Sequence, residues 1–340
     1  MLPTSGEFVL NRKAEHIGIK SALMEYAALQ RGLPVTRLSR QVILVGAPDG
    51  GQLAFHQMNG HRSSQVGRFF CDRKEHGRQR LRHAGISVPP SRLFERSELS
   101  EALTFAETLD GAAVVKPTRL SRGRGVTTGI GSPEEFRVAW ERAFGSYRRP
   151  EQGQVLVEQH MDGEDFRFYV IGTQTVFATH RKRANVTGDG RSAIGDLIRA
   201  KNAERAENPY LGGYLIPTRL SELERLGPAG LSLDSVPGAG EEITLRGASN
   251  LSAGGDSIDC TDRMHAGFRD LAVRAAGAIP GMEYAGVDVI TPDITVAPTP
   301  ENHVIGEVEY SPAPMTHFPA AGEPHDMAGA LLDHYLAQAD

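Results

Sequence analysis

Two periods of apolar spacing divide this chain into elements. QVILVG (41–46) is a short apolar run that predicts a buried strand, whereas KEHGRQRLRHA (74–84) predicts a helix stopped by Gly85 and followed by extended ISVPP. SELSEALTFAETL (97–109) spaces leucine and alanine helically, AAVVKP predicts a strand, and a second strand follows near 126–130. Ser132-Pro133-Glu134-Glu135 supplies the N-cap, first-turn proline and N3 acid of a helix start, and Phe136, Ala139, Trp140 and Phe144 fall on one face of the helix it opens.

VLVEQH (155–160) and FRFYVI (166–171) predict strands, the second alternating as strand faces do. Segments 101–171 thus group into a small α/β unit. Beyond residue 171, strands are expected at TVFATH, EEITLR, YAGVDVI and NHVIGEVEY, among helices that end with an amphipathic one from about 326, carrying Met327, Leu331, Leu332 and Tyr335.

Composition narrows the classes. The 340 residues carry 37 Lys plus Arg against 42 Asp plus Glu, so charge gives no general reason to bind nucleic acid. An apolar share of 40% and a charged share of 23% suit a soluble globule of two or three packed units. No run approaches the roughly 20 apolar residues of a membrane span, and a cytoplasmic protein is the expectation. Cys71 and Cys260 are read as buried thiols, being too few for a disulfide framework or a thiolate zinc site.

Candidate chemistry begins with VVKPTRLSRGRGV (114–126), a glycine-basic loop placed as a hairpin connection rather than running straight into a helix as a P-loop does. Glycines let a backbone close over phosphate oxygens, and Lys116, Arg122 and Arg124 offer cationic donors; from the loop alone a solvated basic turn is an equal reading. Asp288 in AGVDVI, with Glu307 and Glu309 in VIGEVEYSPAP, lies in strand-like apolar runs where carboxylates are costly unless paired or metal-bound. Glu307 and Glu309, two apart, share a strand face. Carboxylates opposite a basic glycine loop suit Mg²⁺-polyphosphate; acids on exposed strand edges are the alternative. His61, His160, His265 and His317 have no ligand spacing and are read as structural, with His317 the best candidate for a substrate contact.

The order of these motifs resembles the ATP-grasp superfamily, and most closely the ATP-grasp domain of cyanophycin synthetase and glutathione-synthetase-like ligases. The resemblance runs from NGHRSSQVGRFFCDRKEHGRQRLRHAGISVP through VVKPTRLSRGRGV, VLVEQHMDGEDFRFYVI, RKRANVTGDGRSAIGDLI, ASNLSAGGDSIDCTD and AGVDVI to EVEYSPAPMTHFPAAGEPHDMAGALLDHYL. It implies an α/β (α+β) fold of three subdomains, with ATP between two α/β units. The expected divisions are an N-terminal unit 1–95, a central lid unit 96–172 and a C-terminal unit 173–340 with the metal and substrate site.

Carried over by position, Lys74 and Lys116 match the nucleotide-phosphate lysines, and Ser121, Arg122, Gly123, Arg124, Gly125 and Val126 the glycine-rich lid. Glu158, Gln159, His160 and Met161 match the hinge that meets adenine, and Asp165, ahead of Glu164, the ribose-binding carboxylate. Asp288, Glu307 and Glu309 match the ligands of Mg²⁺ (or Mn²⁺), although relatives carry Asn at the third position. Arg167, Arg183 and Asn250 match residues that face the acyl phosphate or acceptor. Met315 stands where cyanophycin synthetases tend to place arginine, which puts the substrate in doubt while the reaction class survives.

The resemblance implies carboxylate activation by ATP as an acyl phosphate, then attack by an amine, with small amino acids or peptides as substrates. A ligase adding one unit and a homodimer are the further expectations. A phosphotransferase acting on a hydroxyl and a catalytically silent nucleotide binder are the competing readings.

Overall fold

The computed structural model describes residues 2–118, 120 and 124–338. Helices α1 (Ser5–Ala14) and α2 (Ile19–Gln30) precede an antiparallel meander of β1 (Val35–Arg37), β2 (Val42–Gly46), β3 (Gln52–His56) and β4 (Asn59–Gly60). Thr4 caps α1 in a capping box with Glu7, which fixes where that helix begins. Helices α3 (Gln65–Asp72) and α4 (Lys74–His83) follow, α4 ending at the positive-φ Gly85.

A second antiparallel sheet is built from β5 (Ser91–Glu95), β6 (Ala113–Pro117), β7 (Thr127–Ile130) and β8 (Gln154–Gln159), in the order β5-β8-β6-β7. It is backed by α5 (Leu99–Glu107) and α6 (Pro133–Gly145). Ser132 and Glu135 form the capping box read from the sequence, and Trp140 is packed between Phe136 and Phe144 in the core of this unit. Because β6 pairs antiparallel with β7, the basic loop joins a hairpin.

The third and largest sheet contains β9 (Glu164–Ile171), β10 (Thr175–Lys182), β13 (Asp256–Asp259), β14 (Tyr284–Thr291) and β15 (Val304–Glu309), ordered β13-β10-β9-β14-β15, with α8 (Ala266–Gly277) packed on one side. Between β10 and β13 the chain makes a satellite unit of β11 (Asn185–Thr187), α7 (Ile194–Glu207) and β12 (Glu242–Thr244) with its own small core. Helix α9 (Met327–Leu336) closes back on α2 in the N-terminal core.

The segment FRFYVI, grouped by sequence with the glycine-loop unit, is β9, a central strand of the five-stranded sheet, and β5 joins the second sheet. Alternation explains it. Phe166, Phe168 and Val170 pack with Val287, Val289 and Ile305 under α8, while Arg167 and Tyr169 face the other way. Among the described residues no helix is long and apolar enough to cross a membrane. Cys260 is buried as expected but Cys71 is only half-buried; burial pushes both thiols up to about 12.

Candidate active site

The polar face of the five-stranded sheet is the floor of the site. Strand register sets Arg167, Asp288 and Glu307 in one row and Tyr169, Gly286 and Glu309 in the next. The pairing of β14 with β15 shifts between Asp288 and Val289, where Gly306 is the extra residue. That bulge lets Ile305 face the core while Glu307, only two residues on, faces the site.

Each floor carboxylate is held by cations. Arg167 donates to Asp288 and to Glu309. Burial works against its charge, and Asp288 and Glu309 more than offset this, leaving its pKa well above the usual arginine value. Arg167 lies over Gly286, where a Cβ would sit 2.7 Å from Pro312 Cβ and 3.0 Å from Arg167 Cδ. Arg181 bridges Asp165 at 2.6 Å and Asp288 at 2.7 Å, and Ser249 donates to the other oxygen of Asp165.

Lys74 is the first residue of α4 and pairs with Glu307. An ammonium is disfavoured at a helix N-terminus, and burial disfavours it further. Glu307 reverses both, raising the Lys74 pKa. Burial also works against charge on Glu307, but Lys74, with Lys116 and Arg167, holds its carboxyl well below the usual range.

Lys116 in β6 reaches Glu158 of β8 at 2.7 Å. The second Glu158 oxygen lies 2.5 Å from Arg78, whose side chain is 1% exposed and also donates to the Gly306 carbonyl. Burial pulls Lys116 down to about 8 against the attraction of Glu158, with Arg78 and Lys74 adding repulsion. Arg78 lies one turn after Lys74 on α4, so it faces the same site. Its Nε and Nη1 are buried without a hydrogen-bond partner.

In the hinge, the Gln159 and His160 amides donate to the Pro90 and Ala112 carbonyls; Met161 is half-buried. Glu158 is buried, one oxygen accepting from Lys116 and the other at ion-pair distance from Arg78. Ser121, Arg122 and Gly123 lie outside the described residues, Arg124 is exposed, Val126 is half-buried, and Gly125 has φ 74° in a spot where a Cβ would meet Ser146 and Pro117.

Arg183 does not join the ion pairs around Asp288. It lies past the end of β10 and donates to the Gly247 carbonyl at 3.1 Å. Arg181, two residues earlier in the same alternation, is the arginine at the floor. Asn250 starts a short turn whose amides at Ala253 and Gly255 return to its carbonyl. His317 is buried, and its Nε2 accepts the Ala328 amide; burial pulls its pKa down to about 4. His265 caps α8.

Three hard-oxygen donors on two adjacent strands, with Glu307 and Glu309 partly open to the cleft, fit Mg²⁺ in chemistry. Their oxygens are turned to Lys74, Arg167 and Arg181, and among the described residues no three acid, imidazole or thiol groups converge as a metal cage.

Known proteins resemble this chain in sequence and in fold. The chain is 31% identical over 330 residues to the bifunctional glutathione biosynthesis protein GshAB of Clostridium perfringens, covering 94% of this chain and 41% of that one. It is 36% identical over 271 residues to cyanophycin synthetase of Geminocystis herdmanii, covering 77% and 30%. The crystal structure of a bifunctional glutathione synthetase from Pasteurella multocida superposes with a TM-score of 0.72 at 28% identity over 95% of this chain and 44% of that one. The fold expected from the sequence is therefore the fold found. The chain spans less than half the length of each of these proteins, and no protein-family model matches it.

Proposed function

The chain belongs to the ATP-grasp superfamily of carboxylate-amine ligases, and on that premise we propose that it joins an amino acid or dipeptide, such as a glutamyl unit, to a second amino acid at the expense of ATP. The observation that carries the reading is Lys74, whose ion pair with Glu307 keeps it charged against burial at the start of α4. A cation maintained against burial and helix dipole is suited to a polyphosphate.

In this reading Lys74 and Lys116 exchange their carboxylate partners for phosphate oxygens, each charge-assisted contact contributing about 1.5–3 kcal/mol. The lid, of which Arg124, Gly125 and Val126 are described, meets the phosphates, and the hinge from Glu158 to Met161, with Asp165, orients the nucleoside. Asp288, Glu307 and Glu309 would hold Mg²⁺, which supplies charge neutralisation at the triphosphate. Arg167 and Arg181 stabilise negative charge on the transferring group. Asn250 and Arg183 line the acceptor side. The substrate carboxylate takes the γ-phosphoryl group with release of ADP, and the amine then attacks the acyl carbon, giving up a proton as phosphate departs, with no side-chain nucleophile.

A screen of amino-acid pairs for phosphate release, with mass detection of products, tests this. An amide formed only when both partners are present supports the ligase. A phosphorylated product without condensation makes it a phosphotransferase, and ATP binding without any product makes it a silent binder. A cytoplasmic homodimer acting on free amino acids is part of the same proposal, and light scattering of the purified chain tests the dimer.

A further inference from the structure

Lys20 sits in the first turn of α2, yet its ammonium leaves the N-terminal unit and donates to the carbonyl and hydroxyl oxygens of Ser311, the hydroxyl at 2.9 Å. Ser311 follows Glu309 by two residues, so this amine stands at the edge of the site floor. Lys74, Lys116, Arg167 and Arg181 each have a carboxylate partner; among the described residues Lys20 has none within ion-pair distance.

An ammonium carries three donors, and the two Ser311 oxygens are neutral. Burial pulls the Lys20 pKa down to about 8, Glu309 opposing this and Arg167 adding to it. A strap between a helix and a loop needs no charge, and a neutral donor would hold Ser311 at lower desolvation cost. The neighbouring row supplies a second unmet donor: the Tyr169 hydroxyl is buried without a hydrogen-bond partner. Tyr169 and Lys20 both lie within electrostatic reach of Arg167 and Glu309.

We propose that Lys20, aided by the Tyr169 hydroxyl in the same Arg167–Glu309 neighbourhood, binds a non-reacting carboxylate of the amino-acid substrate and so selects substrates that carry a free one. The inference rests on the ligase reading above. A carboxylate there neutralises the ammonium and accepts its third N–H, a charge-assisted contact.

The test compares wild type, Lys20→Met, Lys20→Arg and Tyr169→Phe on the amino-acid pair found by the screen, with each amino acid also supplied as its carboxamide. Lys20→Met is expected to raise KM for one amino acid about 10- to 150-fold while KM for ATP stays unchanged. Wild type disfavours the carboxamide of that amino acid by a similar factor, whereas Lys20→Met treats acid and amide alike. Lys20→Arg restores part of the preference, and Tyr169→Phe shows a smaller loss of the same kind. Retention of the wild-type acid preference in Lys20→Met overturns the proposal, as does a parallel rise in both KM values, which marks a structural strap. If the wild type forms no amide with any pair, the ligase reading has failed and takes this inference with it. An amide formed with unchanged kinetics in Lys20→Met defeats the inference alone.

Discussion

The two ends of the site differ in how their charges are matched. Around Lys74 the charges are paired, and the set is closed in that sense: Lys74 meets Glu307, and Lys116 and Arg78 share Glu158, although two Arg78 nitrogens make no hydrogen bond. Around Lys20 it is open, an ammonium meeting only the neutral oxygens of Ser311. The closed set holds its shape before any ligand arrives, so binding there is an exchange of partners. At the open end a ligand supplies the missing partner. The first arrangement suits a nucleotide of constant shape, and the second suits discrimination among substrates.

Breaking the closed set has the largest expected effect. Arg78→Met leaves the buried Glu158 with Lys116 alone, and should lower unfolding free energy by about 3–5 kcal/mol in urea titration. Lys116→Ala should reduce kcat/KM for ATP at least about 100-fold while leaving most of the acid-over-amide preference at the other end.

Gly286 lies in the row between the two ends. Gly286→Ala pushes a methyl group against Pro312 and the Arg167 stem, with an expected cost of about 1–3 kcal/mol in stability and a fall in kcat as Arg167 shifts.

The smallest effect is on pH dependence. Lys116, pulled down by burial, loses its proton near pH 8 rather than at the ordinary lysine value of 10.5. The protonated form binds phosphate, so kcat/KM for ATP should decline as pH rises through about 8, and Lys116→Arg should flatten that decline. A profile level to pH 10 would show that the pair with Glu158 keeps Lys116 charged and that the closed set is tighter than described.

The closed end was the legible one. Lys116 and the three acids stand in short motifs whose spacing is local, whereas Lys74 and Glu158 came only through the family resemblance. Alternation indicated the shared faces in FRFYVI and of Glu307 with Glu309, but not the bulge at Gly306. Arg78 was overlooked among the basic residues of KEHGRQRLRH, although its four-residue offset from Lys74 placed both on one helix face. Alternation in ATHRKR allows Arg181 or Arg183 to face the floor, and only the end of β10 at Lys182 decides for Arg181. Lys20 had no local signal. Its partner lies 291 residues away, and nothing in a helix-starting GIKSA marks a side chain that crosses to another unit.

The glycine-loop sheet has a further consequence through its attachment. Its strands come from one continuous stretch, residues 91 to 159, and the first and last of them lie side by side, with Ser91 paired to Glu158 and Gln159 tied to Pro90. The unit therefore hangs from the rest of the molecule by two adjacent ribbons. A swing of the unit over the floor would turn about those ribbons and strain the Arg82–Ser91 and Arg78–Glu158 contacts that α4 makes with them. A disulfide engineered between positions 90 and 159 should therefore slow turnover without replacing a charged side chain.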